Sequence, residues 1–265
     1  MPKEIIASAK RILSPSSNKS IKKIMICPPP DIVVFFIGGA GDKRSFLGSG
    51  PNGNIVEVQR YFERKFKNEI DRAAISSIYL GYYEVHGSEA VKKIADDFIF
   101  NKKAKIYIVG HSLGGWNGAH FSEKLSKLGF DVELLITLDP VGENVYLKVF
   151  ADIYAGVPQP QAFIWINLRY NQSYWDVIKK YYPGSQYKNM AVEASANFIA
   201  DVGQQWWVGP RLDGVTTPKR MPDVNAFVNV SHVDTLPAME YALQGGVTAW
   251  SIMETSIKTN LKGEK

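Results

Sequence analysis

The chain has 265 residues, is 45% hydrophobic and carries a net charge of +5 at pH 7. That length and apolar content suffice to bury a full core, and single α/β domains commonly reach this size, so one domain over residues 1–265 is expected. The only cysteine, Cys27, excludes an internal disulfide framework and gives no paired thiolate ligands, so neither metal nor cofactor is expected.

Basic residues are scattered (Lys19, Lys22, Lys23; Arg60, Arg64, Lys65, Lys67; Lys102, Lys103, Lys105). They read as solvated helix faces and loop ends rather than a nucleic-acid surface. A basic face would still be drawn to anionic lipid headgroups. No run of 18 apolar residues suggests a membrane-spanning helix. Ile5-Ile6-Ala7 is too short for the core of a secretory signal, so the expected location is the cytoplasm, or export without a cleaved leader.

In chain order, residues 2–13 suit a short amphipathic helix (Ile5, Ile6, Ala9, Ile12, Leu13), broken by Ser14-Pro15-Ser16-Ser17-Asn18. Residues 21–27 suit a first strand, ended by Pro28-Pro29-Pro30. Ile32-Val33-Val34-Phe35-Phe36-Ile37 is continuously apolar, as in a strand buried on both faces, and runs into Gly38-Gly39-Ala40-Gly41-Asp42. After a loop, Asn54 is placed to cap a helix with Glu57 as its capping-box partner and Ile55, Val58, Phe62 and Phe66 as the buried stripe. A strand is predicted over 77–85, then a helix capped by Ser88 with Val91, Ile94, Ala95, Phe98 and Ile99 inward.

Ile106-Tyr107-Ile108-Val109 reads as a strand and residues 113–128 as a helix ended by Gly129. Further strands are predicted over 134–138, 163–168 and 226–230, and helix over 234–259. Strands alternating with helices argue for a mostly parallel sheet covered on both faces. Residues 170–224 hold Tyr170, Tyr174, Trp175, Tyr181, Tyr182, Trp206 and Trp207 without a clear period. They are read as a substrate-binding cap or lid, or as aromatic core.

Between the strand at 106–109 and the helix at 113 stands Gly110-His111-Ser112-Leu113-Gly114-Gly115. Gly-x-Ser-x-Gly in strand–turn–helix context is the pattern of a nucleophile elbow; an ordinary glycine-rich turn is the plain alternative. A serine hydroxyl needs a base within hydrogen-bond reach, and the base needs a third group to fix its tautomer. Of the four histidines, His111 is the variable position of the elbow and is expected to point away from the serine's attack direction. His120 is read as packed or surface, and His86 lies between a strand and a helix. His232, after the last predicted strand, is assigned as the base.

Asp139 stands at the carboxyl end of the strand after the elbow helix, where loops converge on one crevice, and is the favoured acid. An Asp-Pro turn is its structural alternative, and Asp176 and Asp201 are the other candidates. Asp234 is read as a helix cap. Donors for a developing oxyanion would be the Leu113 N–H and one from the Gly38–Gly41 loop, whose missing side chains let backbone approach a substrate.

With these residues in place the chain resembles the lipase and esterase branch of the α/β-hydrolase superfamily. Gly110-His111-Ser112-Leu113-Gly114-Gly115 is the lipase form of the elbow, and Leu138-Asp139-Pro140 resembles the acid segment of pancreatic-type lipases. Ile37-Gly38-Gly39-Ala40-Gly41 resembles the oxyanion loop, except that Gly38 replaces the usual His of a His-Gly pair, which leaves the donor as Gly39 or Ala40. The resemblance covers residues 31–140 and His232 and is thin over 141–224. A leaderless, basic lipase domain is also similar to bacterial lipase effectors exported by type VI secretion.

The resemblance implies an α/β-hydrolase fold and a serine hydrolase cleaving carboxylic esters, lipids or phospholipids among them. The triad would be Ser112, Asp139 and His232, working through an acyl-enzyme. A thioesterase, amidase or acyltransferase would use the same residues. A non-catalytic binding module on this fold is the alternative from another class.

Overall fold

The computed structural model describes residues 28–46, 50–143, 145–181, 187–203 and 220–263, with main chain only at 145–147 and 187–192. Six strands form one all-parallel sheet: β1 (Ile32–Gly38), β2 (Ile75–Gly81), β3 (Lys105–His111), β4 (Asp131–Leu138), β5 (Ile164–Tyr170) and β6 (Val224–Val228), in the order β2-β1-β3-β4-β5-β6. The helices between them are α1 (Asn54–Lys65), α2 (Lys67–Asp71), α3 (Ser88–Phe98), α4 (Leu113–Lys127), α5 (Val145–Phe150), α6 (Tyr174–Tyr181), α7 (Tyr187–Val202), α8 (Thr235–Met239) and α9 (Ala249–Lys262). The architecture is therefore α/β. The amphipathic helix expected over 2–13 and the strand expected over 21–27 lie outside the described residues.

Alternation along β1 builds a core on each face of the sheet, because successive side chains of a strand point to opposite sides. Val33, Phe35 and Ile37 join Val91, Ile94 and Ala95 of α3 and Leu113, Trp116, Ala119, Phe121 and Leu125 of α4. Ile32, Val34 and Phe36 join Ile55, Val58 and Phe62 of α1 and Trp250, Met253 and Ile257 of α9. Ring pairs key both layers: Phe35 meets Phe121 edge-on at 5.2 Å between centroids, and Phe36 meets Phe62 at 5.4 Å. Each such pair adds about 1 kcal/mol to the area buried.

Several predicted boundaries move, each for a local reason. The strand expected over 77–85 ends at Gly81, and Tyr82–Val85 turn as a 3-10 helix. The Gly81 N–H donates to the Glu84 carboxylate at 2.6 Å, which folds the chain back after the ladder. Asn54 and Ser88 are not caps. The caps are Gly53 and Gly87, at φ 67° and 97°, conformations that glycine adopts without steric cost. Gly129 ends α4 in the left-handed conformation (φ 85°), as expected for a C-terminal glycine. The stretch at 234–259 is two helices joined by a 3-10 turn, with Thr248 and Ser251 forming the capping box of α9.

The largest addition lies in 170–224, where α6 and α7 form and pack on each other. Trp206 and Trp207 lie outside the described residues.

The chain leaves β1 for β2 in one direction and later builds β3 to β6 in the other. A crevice therefore opens beyond the carboxyl ends of β1 and β3, the position where such sheets bind ligands. Glycines let α4 approach this edge closely. A Cβ on Gly114 would lie 2.3 Å from the Ile37 carbonyl oxygen, and one on Gly110 would lie 2.4 Å from that of Gly114. Gly118, by contrast, has space for a methyl, with its nearest neighbour 3.4 Å away. Gly114→Ala should therefore lower the urea midpoint by the equivalent of about 2 kcal/mol, with Gly118→Ala close to wild type. Equal midpoints for the two variants would refute this account of the contact.

Candidate active site

Ser112 occupies the turn between β3 and α4 at φ 56°, ψ −127°. A non-glycine residue in that region costs on the order of 1–3 kcal/mol and persists only where the surroundings enforce it. Here they do. The Ser112 N–H donates to the Leu138 carbonyl at 3.0 Å. Its carbonyl accepts from Gly115, Trp116 and Val141, at 2.9, 3.2 and 3.1 Å. The strained turn is thus tied to both the helix it starts and the strand beside it.

The Ser112 hydroxyl lies 2.9 Å from Nε2 of His232, in the turn after β6. His232 Nδ1 lies 2.6 Å from Oδ2 of Asp139, at the end of β4. The other oxygen of that carboxylate accepts the Tyr170 N–H at 3.1 Å. Asp139 is itself at φ 42°, its N–H held by the Leu168 carbonyl at 2.7 Å. An ionised carboxylate can only accept, so Nδ1 carries the proton and Nε2 presents a lone pair to the serine. The three residues assigned from the sequence therefore meet in one hydrogen-bonded line.

The other candidate acids stand elsewhere. Asp176 is exposed and takes the N–H and hydroxyl of Ser173, at 3.0 and 2.7 Å, at the start of α6. Asp201 accepts the Tyr174 N–H at 2.9 Å. Both serve the α6 terminus. Asp234 precedes α8 but bonds the Ser231 N–H at 3.1 Å rather than a helical N–H.

His120 is packed, its ring 4.4 Å from Tyr154, and burial pushes its pKa down to about 4. His86 flanks the same tyrosine at 4.7 Å. His111 makes contacts that the sequence did not indicate. It is 2% exposed, its ring centroid is 4.7 Å from that of His232, and its Nε2 donates to the His232 carbonyl at 2.7 Å. Burial holds it well below the ordinary histidine range, so the ring is neutral. Sequence reasoning took it as the variable position inside the elbow, pointing away from the serine's attack direction, and assigned it no partner. Placement at a strand end bordering the crevice was the available signal.

Gly39 runs against the serine: a Cβ there would lie 2.5 Å from Ser112 Cβ and 3.0 Å from its oxygen. Ala40 lines the cavity over Ser112, and Leu113 is the first residue of α4, whose N–H has no intrahelical acceptor. Gly38 has a steric cause. A Cβ there would fall 2.3 Å from Oδ2 of Asp42, so the buried aspartate occupies the space that a side chain at 38 would need. Asp42 Oδ2 also accepts the Ile55 N–H at 3.3 Å, joining the glycine loop to the start of α1.

The cavity at Ser112 is small, about 40 Å³, and is bounded by Ala40, Phe46, Asn54, His111 and His232 and by Ser195, Ala196 and Ile199 of α7. Larger clefts of about 500 and 440 Å³ lie at the opposite, amino-terminal ends of the strands, around Lys105, Glu133 and Phe163. Among the described residues no group of three or more His, Cys, Asp or Glu is placed to hold a metal ion, and no helix is long and apolar enough to cross a membrane. Comparison with protein-family models and with curated proteins finds no match for the chain.

Burial raises the Asp42 pKa from 3.8 to about 6. The native carboxyl thus holds its proton to higher pH than the unfolded one, so the native state binds more protons within that window. Stability falls as pH rises through it, by at most ~1.4 kcal/mol per pH unit. Asp42→Asn should remove that slope, read from urea unfolding at pH 4 to 7. Parallel wild-type and variant curves would exclude the effect.

Proposed function

We propose that this protein is a serine hydrolase acting on carboxylic esters, built on an α/β-hydrolase fold. The observation that carries the reading is the unbroken line from Ser112 Oγ to His232 Nε2, at 2.9 Å, and from Nδ1 to Asp139, at 2.6 Å. In this reading Ser112 attacks the ester carbonyl while Nε2 takes its proton, and Asp139 stabilises the imidazolium. Backbone N–H groups of Leu113 and of Gly39 or Ala40 face the developing oxyanion. Collapse passes the proton from Nε2 to the leaving alkoxide and leaves an acyl-enzyme. Water, deprotonated by His232, then attacks the acyl carbon; the acid departs and Ser112 recovers its proton.

Two observations bear on the substrate. The cavity at Ser112, of about 40 Å³, has Ser195, Ala196 and Ile199 of α7 as one wall, so that helix borders the acyl group of a bound ester. The exposed surface of α6 and α7 favours a lipid. Trp175 is 66% and Phe198 54% exposed, and Tyr174 touches both, at 5.2 and 6.1 Å between centroids. Such rings suit a lipid–water boundary. The substrate class proposed is therefore a lipid or phospholipid ester, with peripheral contact to an anionic membrane. Thioesterase, amidase and acyltransferase chemistry would use the same line of residues.

A fluorophosphonate should label Ser112 in the folded protein. Ser112→Ala, His232→Ala and Asp139→Asn should each lower hydrolysis of a short p-nitrophenyl ester by on the order of 10⁴-fold, while Asp176→Asn stays near wild type. Absence of the adduct would overturn the hydrolase reading. Activity lost in Asp176→Asn but kept in Asp139→Asn would move the acid. Product identification across neutral glycerides, phospholipids and short esters assigns the substrate class.

A further inference from the structure

His232 lies beyond β6, a five-residue strand at the edge of the sheet, so no ladder fixes its main chain. Its peptide groups are held from two other elements. The carbonyl accepts from His111 at 2.7 Å, on the elbow side. The N–H donates to Oδ1 of Asn197 at 3.1 Å, on the α7 side.

Asn197 is 1% exposed, and its amide is fully used. Because the His232 N–H can only donate, the atom facing it must be oxygen. The nitrogen then donates to the Ser231 hydroxyl and to the Glu193 carbonyl, both at 2.8 Å. Glu193 and Asn197, four apart, share one side of α7. Ser195, Ala196 and Ile199 of the same helix wall the cavity over Ser112. One helix therefore both covers the nucleophile and grips the base.

We propose that Asn197 is a positioning residue for His232, and that it makes alignment of the base conditional on the seating of α7. The inference rests on the hydrolase reading above. Any displacement of α7 from the cavity draws Oδ1 away from the His232 N–H, because both contacts are made by the same helix. The His232 main chain then keeps only the His111 contact at its carbonyl, and the imidazole is left to its side-chain bonds with Asp139 and Ser112. A misplacement of about 1 Å costs up to roughly 100-fold in rate. Full alignment therefore requires α7 seated over the cavity.

The test compares Asn197→Ala, which removes the acceptor, with Asn197→Asp, which keeps it. Readouts are kcat and KM on a short p-nitrophenyl ester, thermal melting, and the far-downfield proton resonance of His232 Nδ1–H. Asn197→Ala should lose roughly 10- to 100-fold in kcat with little change in KM, and its resonance should shift or broaden. Asn197→Asp keeps the acceptor but loses the donor to the Glu193 carbonyl, so it should recover part of both. Wild-type kcat and resonance in Asn197→Ala would overturn the proposal, as would equal kcat losses in the two variants. If Asn197→Ala does not fold, Ser231→Ala, which removes a group that orients the amide, should shift the resonance the same way with a smaller loss of kcat; no change in either would overturn the proposal. Absence of a fluorophosphonate adduct on wild-type Ser112 defeats the hydrolase reading and leaves the resonance to decide the coupling. An adduct combined with an indifferent Asn197→Ala defeats the coupling alone.

Discussion

The contact of backbone with backbone where α4 meets β1 and β3 constrains the rest of this structure. Side chains are excluded at Gly110 and Gly114, where a Cβ would lie 2.4 and 2.3 Å from a carbonyl oxygen. That closeness lets the chain reverse within one residue, and Ser112 takes up the reversal at φ 56°. The strain is stable because each polar group of the serine's main chain has a partner in a neighbouring element. A looser helix would leave the turn free to relax and the hydroxyl free to swing from its 2.9 Å contact with His232.

The same logic extends outward. Asp139 also sits at positive φ (42°), held at its N–H by β5 and at its carboxylate by the Tyr170 N–H. Two adjacent strand ends thus carry strained residues facing one imidazole. The glycine loop is fixed by a buried carboxyl: Asp42 fills the space beside Gly38 and bonds the Ile55 N–H. Its desolvation is unfavourable for the ionised form, which is why its pKa rises to about 6.

His232 is secured differently from Ser112 and Asp139. Ser112 and Asp139 hang from central strands, whereas His232 follows the edge strand β6 and depends on side chains for its main-chain partners. One of those side chains belongs to the elbow and the other to the helix that roofs the cavity. Residues that line the cavity at Ser112 and the residue that bonds the His232 N–H therefore share one helix, α7. The exposed rings of Trp175 and Phe198 lie on the surface of this pair of helices.

Much of the framework was legible in the chain itself. Continuous apolar runs marked β1, β3 and β4, since strands buried on both faces carry no polar alternation. Gly110 to Gly115 announced a tight strand-to-helix turn, and four histidines left few candidates for a base. The acid stayed open among Asp139, Asp176 and Asp201, because in sequence all three are carboxylates near turns. Tertiary structure separates them: only Asp139 reaches the imidazole, while the other two hold the α6 terminus.

Helix α6 was hidden by its length of eight residues, and α7 because its apolar residues do not share one buried stripe: Ala194 is buried while Phe198 and Val202 are exposed. The partners of His111 and Asn197 were not legible locally, since each bonds the main chain of His232, 121 and 35 positions away, respectively. Local pattern determines which segments are strands and where the chain must turn sharply. Which polar groups meet across those turns is decided by packing, because a buried N–H or carbonyl must find its partner wherever the fold brings one.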